Sequence, residues 1–184
     1  GDVYAAANYG MYVKDNGGAV TNSGDLFVDG DNNIALNVLA QTANASLTST
    51  DASTITVGSA GDTGGADNHP YTYRNYAVYA EGLNGRAVSV PLDSGIRLLS
   101  AGAIGVHARG NATIDIGSQA SLSFENTQQI GYYAWGQGAS INITNATITD
   151  NAQAQSILFA VDHGATFTGD TGTGSSYDLI VSGQ

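Results

Sequence analysis

Gly105-Val106-His107-Ala108, Gly131-Tyr132-Tyr133-Ala134 and Ile157-Leu158-Phe159-Ala160 share one order of residue types: small or apolar, apolar, ring, alanine. Ala77-Val78-Tyr79-Ala80 and Gly10-Met11-Tyr12-Val13 follow closely, and Ala35-Leu36-Asn37-Val38 is a weaker copy without the ring. The third positions fall at 12, 37, 79, 107, 133 and 159, so the first step is 25 residues and the last three are 28, 26 and 26. The long step from 37 to 79 is one repeat plus about 16 residues, which matches Gly58 to Tyr73 (GSAGDTGGADNHPYTY). That stretch is rich in turn residues and has no hydrophobic period. A fixed spacing of this size is the mark of a repeat architecture.

Behind each quartet come short alternating runs: Val88-Ser89-Val90, Ile114-Asp115-Ile116, Leu122-Ser123-Phe124 and Ile141-Asn142-Ile143. Turn residues such as Asn22-Ser23-Gly24, Asp93-Ser94-Gly95 and Gly117-Ser118-Gln119 separate them. Period two with turns between is the signature of strands, and no ten-residue stretch has a helical period with caps. A sandwich needs no regular repeat, and a propeller blade needs about 40 residues or more. The expected fold is therefore all-β: a single-stranded parallel β-helix, or β-solenoid, of about six coils of ~26 residues. The coils are expected over 9–33, 34–57, 75–103, 104–129, 130–156 and 157–184, in one domain, with an inserted loop at 58–73. Two or three strands per coil are both compatible with the pattern.

Alternation also sorts the faces. Met11, Leu36, Val78, Val106, Tyr132 and Leu158, with Val13, Val38, Ala80, Ala108, Ala134 and Ala160, form two apolar files two residues apart and should point inward. The position between them, Tyr12, Asn37, Tyr79, His107, Tyr133 and Phe159, should then form an outward file.

Composition narrows the function. Of 184 residues, 5 are Lys or Arg and 16 are Asp or Glu, a formal charge of −11, and none is Cys. Five scattered cations cannot neutralise a phosphate backbone, so nucleic acid is not an expected partner. No apolar run approaches the roughly 20 residues of a membrane-spanning helix. Disulfide and thiol chemistry are excluded with the cysteines. The chain opens on Gly1 and stops at Gln184 soon after an apolar run, so it reads as part of something longer.

Tyr9-Gly10-Met11-Tyr12-Val13 followed by Val20-Thr21-Asn22-Ser23-Gly24-Asp25-Leu26, and Ile104-Gly105-Val106-His107-Ala108 followed by Gly110-Asn111-Ala112-Thr113-Ile114, resemble the coils of Gram-negative autotransporter passenger domains. The resemblance covers nearly the whole chain outside Gly58–Tyr73. It implies a right-handed parallel β-helix, exported and displayed on the bacterial cell surface or released from it. It also implies membrane attachment only through a C-terminal barrel that this sequence lacks. Passengers of this kind serve as adhesins, self-association factors, toxins and enzymes.

The residues themselves carry no catalytic or metal motif, so the chain is read as a non-enzyme without cofactors. There is no Gly-Xxx-Ser-Xxx-Gly elbow, and Asp162-His163-Gly164 reads as a turn. Asp25, Asp29 and Asp31 read as turn carboxylates rather than a glycosidase pair. Gly61–Asp67 is acidic and glycine-rich but lacks the repeat of an ion-binding loop, and two Asp are few for a hard cation. Arg86, Arg97, Arg109 and Lys14 sit in separate repeats, as isolated ion-pair formers do. Two aromatic groups are better candidates. The insertion ends in His69-Pro70-Tyr71-Thr72-Tyr73-Arg74-Asn75-Tyr76, where rings lie beside groups that hydrogen-bond. Such groups suit sugars, though the tyrosines could equally pin the loop to the coils. Tyr79, His107, Tyr133 and Phe159, with Trp135 nearby, would be a stabilising stack or, if broadly exposed, an interaction surface. The candidate ligand-binding residues are thus His69, Tyr71, Tyr73, Arg74, Tyr76, Tyr79, Tyr133 and Trp135. The expected partner is a host glycan or surface protein, or a second copy on a neighbouring cell. A structural stalk and a carbohydrate-active enzyme remain as further readings.

Overall fold

The computed structural model describes residues 8–30, 32–59, 75–150 and 156–170. Its strands run in five complete coils and the start of a sixth. The first coil is β1 (Asn8–Lys14), β2 (Val20–Asn22) and β3 (Leu26–Val28); the second is β4 (Asn33–Ala40), β5 (Ala45–Ser49) and β6 (Thr54–Val57). The third is β7 (Tyr76–Gly82), β8 (Val88–Leu92) and β9 (Gly95–Leu98), and the fourth is β10 (Ile104–Gly110), β11 (Ala112–Ile116) and β12 (Ser121–Phe124). The fifth is β13 (Ile130–Trp135), β14 (Ser140–Thr144) and β15 (Thr147–Asp150), and the sixth opens with β16 (Ile157–Asp162) and β17 (Thr166–Asp170). Each strand pairs in parallel with its counterpart one coil away. The result is three sheets: β1-β4-β7-β10-β13-β16, β2-β5-β8-β11-β14-β17 and β3-β6-β9-β12-β15. This is a parallel β-solenoid with three strands per coil.

The core is a column between the three sheets. Leu36, Leu47, Ile55, Val78, Val90, Leu98, Val106, Ile114 and Ile141 are all 0 % exposed, because a coil cannot close over its own apolar residues and buries them against the next. Corners are fastened by polar side chains. The buried Asn75 accepts from the Asn33 N–H at 2.8 Å and donates to the Gly30 carbonyl at 2.7 Å. Gln129, also buried, donates to the Leu98 and Ser100 carbonyls at 2.8 Å each. A buried backbone group that loses its partner costs about 1–3 kcal/mol. Asn75→Ala is therefore expected to lower stability by about 2 kcal/mol, read as a drop in urea midpoint at unchanged slope. A loss below about 0.5 kcal/mol would mean that water replaces the amide and the corner is not fastened by it.

The inward files run as the alternation implies, with two departures. In the sixth coil Phe159 pairs with Tyr132, and Ala160 with Tyr133. Phe159 thus leaves the outward file and turns into the core, stacked on Tyr132 at 5.6 Å and packed on Phe167 at 4.2 Å. The shift by one residue gives the larger ring to the interior, and Leu158 falls beside Gly131, where a side chain is absent. The second departure recurs in the first sheet. Ala35 and Leu36, like Ala77 and Val78, both belong to the interior cluster, so two successive residues face inward and alternation breaks once per coil. Gly105 and Gly131 occupy this position in the next coils, where a Cβ on Gly105 would lie 2.6 Å from the Gly131 carbonyl oxygen. The break returns Ile34, Tyr76, Ile104 and Ile130 to the outer side, next to Tyr79.

Candidate functional site

The outer face of the first sheet is unlike that of the second, and it holds most of the outward rings among the described residues, with Phe27 of the third sheet, 62 % exposed, lying apart from them. Strand pairing stacks this face in three files. One is Tyr9, Ile34, Tyr76, Ile104, Ile130 and Ile157; the second is Tyr12, Asn37, Tyr79, His107, Tyr133 and Ala160. The third is Lys14, Leu39, Glu81, Arg109, Trp135 and Asp162. The outer positions of the second sheet are short and polar or proline: Thr48, Ser89, Pro91, Thr113, Asp115, Ser140 and Asn142.

The centre of this wall is closed. Tyr79 is 2 % exposed, Asn37 4 % and His107 8 %, whereas Tyr12, in the same file at the first coil, is 46 % exposed. The outward file lies outside the solenoid as its period implies, but at Tyr79 and His107 it is buried rather than open. The rings are partners of one another. His107 stacks on Tyr133 at 4.6 Å and on Tyr76 at 5.7 Å, and meets Tyr79 edge-on at 5.0 Å. Tyr76 and Tyr79 meet edge to face at 5.6 Å. Together with Ile34, Ile104 and Ile130 they form a second apolar cluster, separate from the core.

Charge lies along one margin. Glu81, itself buried, is 3.4 Å from the Arg109 Nε, and the Arg109 guanidinium sits 4.6 Å from the centre of the Trp135 ring. His163 lies against that ring at 5.0 Å and pairs with Asp162 at 2.8 Å. Both Arg109 and His163 thus lie against Trp135. Within the wall, neither nitrogen of His107 has a hydrogen-bond partner, nor does the Asn37 Oδ1. Burial, then the positive charge of Arg109, pull the His107 pKa down from its ordinary 6.5 to about 3. At the exposed end Tyr9 and Tyr12 stack at 5.1 Å, and burial, Tyr9 and Asp15 raise the Tyr12 pKa.

The wall therefore brings together four of the eight residues that the sequence singles out: Tyr76, Tyr79, Tyr133 and Trp135. His69, Tyr71, Tyr73 and Arg74 lie outside the described residues, as do Gly61–Asp67 and Asp31. His107, expected in the outward stack with Tyr79 and Tyr133, lies at the centre of the wall, and Ile34, Ile104, Ile130 and the Glu81–Arg109 pair join it without having been singled out. Their signal was there in principle, since each lies one repeat from a neighbour in its file. Elsewhere carboxylates serve as fasteners. Asp15 accepts the Gln41, Thr42 and Ala43 N–H groups and the Thr42 hydroxyl, which holds its carboxyl well below the usual range. Asp25 accepts the Thr54 N–H, and Asp29 the Gly30 N–H. Arg97 makes a two-pronged pair with Glu125 at 2.8 and 3.0 Å. Among the described residues no three His, Cys, Asp or Glu side chains come together as metal ligands, and no helix is long and apolar enough to cross a membrane.

The fold and this wall define a parallel β-solenoid with one aromatic, charge-edged flank. Compared with known proteins, the chain matches no family model, no curated sequence and no solved structure.

Proposed function

We propose that this chain is a segment of an autotransporter-like passenger, displayed on or released from a bacterial surface, that acts as a non-enzymatic adhesin for host glycan or protein. The observation that carries this reading is the concentration of outward rings on the first sheet. Tyr9, Tyr12, Tyr76, Tyr79, Tyr133 and Trp135 all project from one wall, beside the Glu81–Arg109 pair. A spacer has no need to gather its rings on one side, whereas recognition surfaces combine aromatic area with a polar margin. The wall's open rings are Tyr9 and Tyr12, 39 % and 46 % exposed, while Tyr133 and Trp135 on β13 are half-buried with β16 beyond them.

The experiment is a bead assay with the purified chain against panels of glycans and host glycoproteins, over a salt series. Binding is expected for the wild type, with at least a tenfold loss in a Tyr133→Ala/Trp135→Ala variant whose circular dichroism is unchanged. The Tyr71→Ala/Tyr73→Ala variant tests the aromatic end of the insertion in the same way. A chain that captures nothing on either panel overturns the adhesin reading. The second reading is self-association between cells, favoured by the polar wall of the second sheet, with Thr48, Asp115 and Asn142. Eleven net negative charges oppose that contact at low salt, so clumping that grows with salt and is competed by soluble chain would select it.

A further inference from the structure

We propose that His107 is an acid-operated latch: proton uptake releases its ring from between Tyr76 and Tyr133 and opens the outer wall of the first sheet, while the solenoid's interior stays packed. The neutral ring fits where it is. It stacks on Tyr133 at 4.6 Å, Tyr76 flanks it at 5.7 Å, and the edge of Tyr79 closes a third side. The protonated ring does not fit. It would carry two N–H donors at 8 % exposure with no acceptor for either, and a buried, unpaired charge is expensive. Attraction of the cation to tyrosine faces returns only a part of that cost.

The charged and titratable neighbours do not offset this. On its own strand the nearest is Arg109, a like charge. On β7 they are Tyr76, Tyr79 and Glu81, and Glu81 is already turned to Arg109. On β13 the only titratable group facing outward is Tyr133. Beyond Trp135 lie Asp162 and His163, paired with each other. The outer positions of β4 are Ile34, Asn37 and Leu39, none of which ionises. Asn37 has an unpartnered oxygen, but it is two coils away with Tyr79 between.

The direction follows from linkage. The open state takes a proton near pH 6.5, and the closed state only near 3. Closure is therefore fully favoured above pH 6.5, and the open fraction rises by up to tenfold for each unit below it. Glu81, Arg109 and the tyrosines keep their places on the strands, so the opened wall would present ring faces that His107 covers at neutral pH. This adds an acid trigger to the proposed binding surface, but it is read without any ligand, so its outcome is separate from that of the binding assay.

The test follows an apolar dye, anilinonaphthalene sulfonate, together with far-ultraviolet circular dichroism from pH 7.5 to 3.5, for the wild type and His107→Phe. The expected result is a reversible rise in dye fluorescence for the wild type at constant β signal, and a flat response for His107→Phe, which keeps every carboxylate. The latch is overturned by a flat wild type, by a variant rising at the same midpoint, or by dye binding that tracks loss of β signal. Should His107→Phe not fold, nitrogen-15 histidine spectra of the wild type decide. A His107 ring that titrates below pH 6.5 together with the Tyr133 resonances supports the latch. One that titrates at 6.5 with Tyr133 unmoved, or stays neutral to pH 3.5, overturns it.

Discussion

Ile114→Ala should lower the stability of the folded chain by about 3 kcal/mol, since large-to-small changes at closed core sites cost about 2–5 kcal/mol. Ile114 is 0 % exposed at the middle of the second sheet, paired to Val90 on one side and Ile141 on the other. Its methyl groups fill space between coils, and the wall strands on either side are fixed by their own backbone pairing, so the site cannot collapse fully around a smaller residue. In a chain of this length each kcal/mol moves the melting temperature by about 2–4 °C, so a fall of about 6–12 °C is expected. The same strand supplies the control. Thr113 and Asp115 point outward, where each accepts one cross-coil hydrogen bond, from Ser140 and Asn142, and Thr113→Ala or Asp115→Ala should cost no more than about 1 kcal/mol. Urea unfolding of the three variants checks the contrast. A loss under 1 kcal/mol at Ile114 would mean that the coils do not stack through this file. Because each coil touches mainly its neighbours, the midpoint should fall with no new plateau if all coils melt together, and a plateau would mark separation of the coils on either side of β11.

The architecture was legible because repetition is a strong signal. Six versions of one quartet at near-equal steps place six strands side by side, and the surplus between 37 and 79 locates the insertion without any knowledge of its conformation. Alternation at Val88–Val90, Ile114–Ile116 and Ile141–Ile143 likewise identifies the second sheet. The last coil was misread at Phe159 because Leu158 and Phe159 are both apolar, so either register satisfies period two. What decides is volume: Phe159 fits over Tyr132 and against Phe167, contacts that belong to a coil already closed. The wall was half legible. Period two correctly puts Tyr79, His107 and Tyr133 outside the core, but outside is a statement about direction and not about water. Burial there depends on Ile34, Tyr76, Ile104 and Ile130 joining them, and those residues reach the outer side only through the break in alternation at Ala35, Ala77, Gly105 and Gly131. A one-residue kink at a small side chain has no period of its own. The pairing of Arg109 with Glu81, and its approach to Trp135, were hidden for a related reason: the residues are 28 and 26 positions apart, adjacent only once the register is known.

The wall's status as a second core gives the other large effect. Tyr79→Ala is expected to destabilise the chain by about 3 kcal/mol, at the scale of burying and then deleting an aromatic side chain, even though Tyr79 lies on the outside of the solenoid. Its ring meets Tyr76 at 5.6 Å and His107 at 5.0 Å, and only 2 % of the residue is exposed. Removal leaves a hole between Asn37 and His107 in a file where backbone spacing prevents neighbours from closing ranks. Tyr12 is the matched comparison: same file, first coil, 46 % exposed, with one stacked partner in Tyr9. Tyr12→Ala should cost less than about 1 kcal/mol, the worth of one aromatic pair. Denaturation curves for the two variants separate two kinds of aromatic ladder. Equal small losses would mean that the wall is decoration on a self-sufficient coil, and that the His107 latch has nothing to hold shut. A large loss at Tyr79 with a small one at Tyr12 would mean that the central rings serve packing first. Any ligand at neutral pH would then meet the more open rings of the wall, and Trp135, half-buried at its charged margin, is a position where the proposed binding can be tested at less cost to packing than at Tyr79.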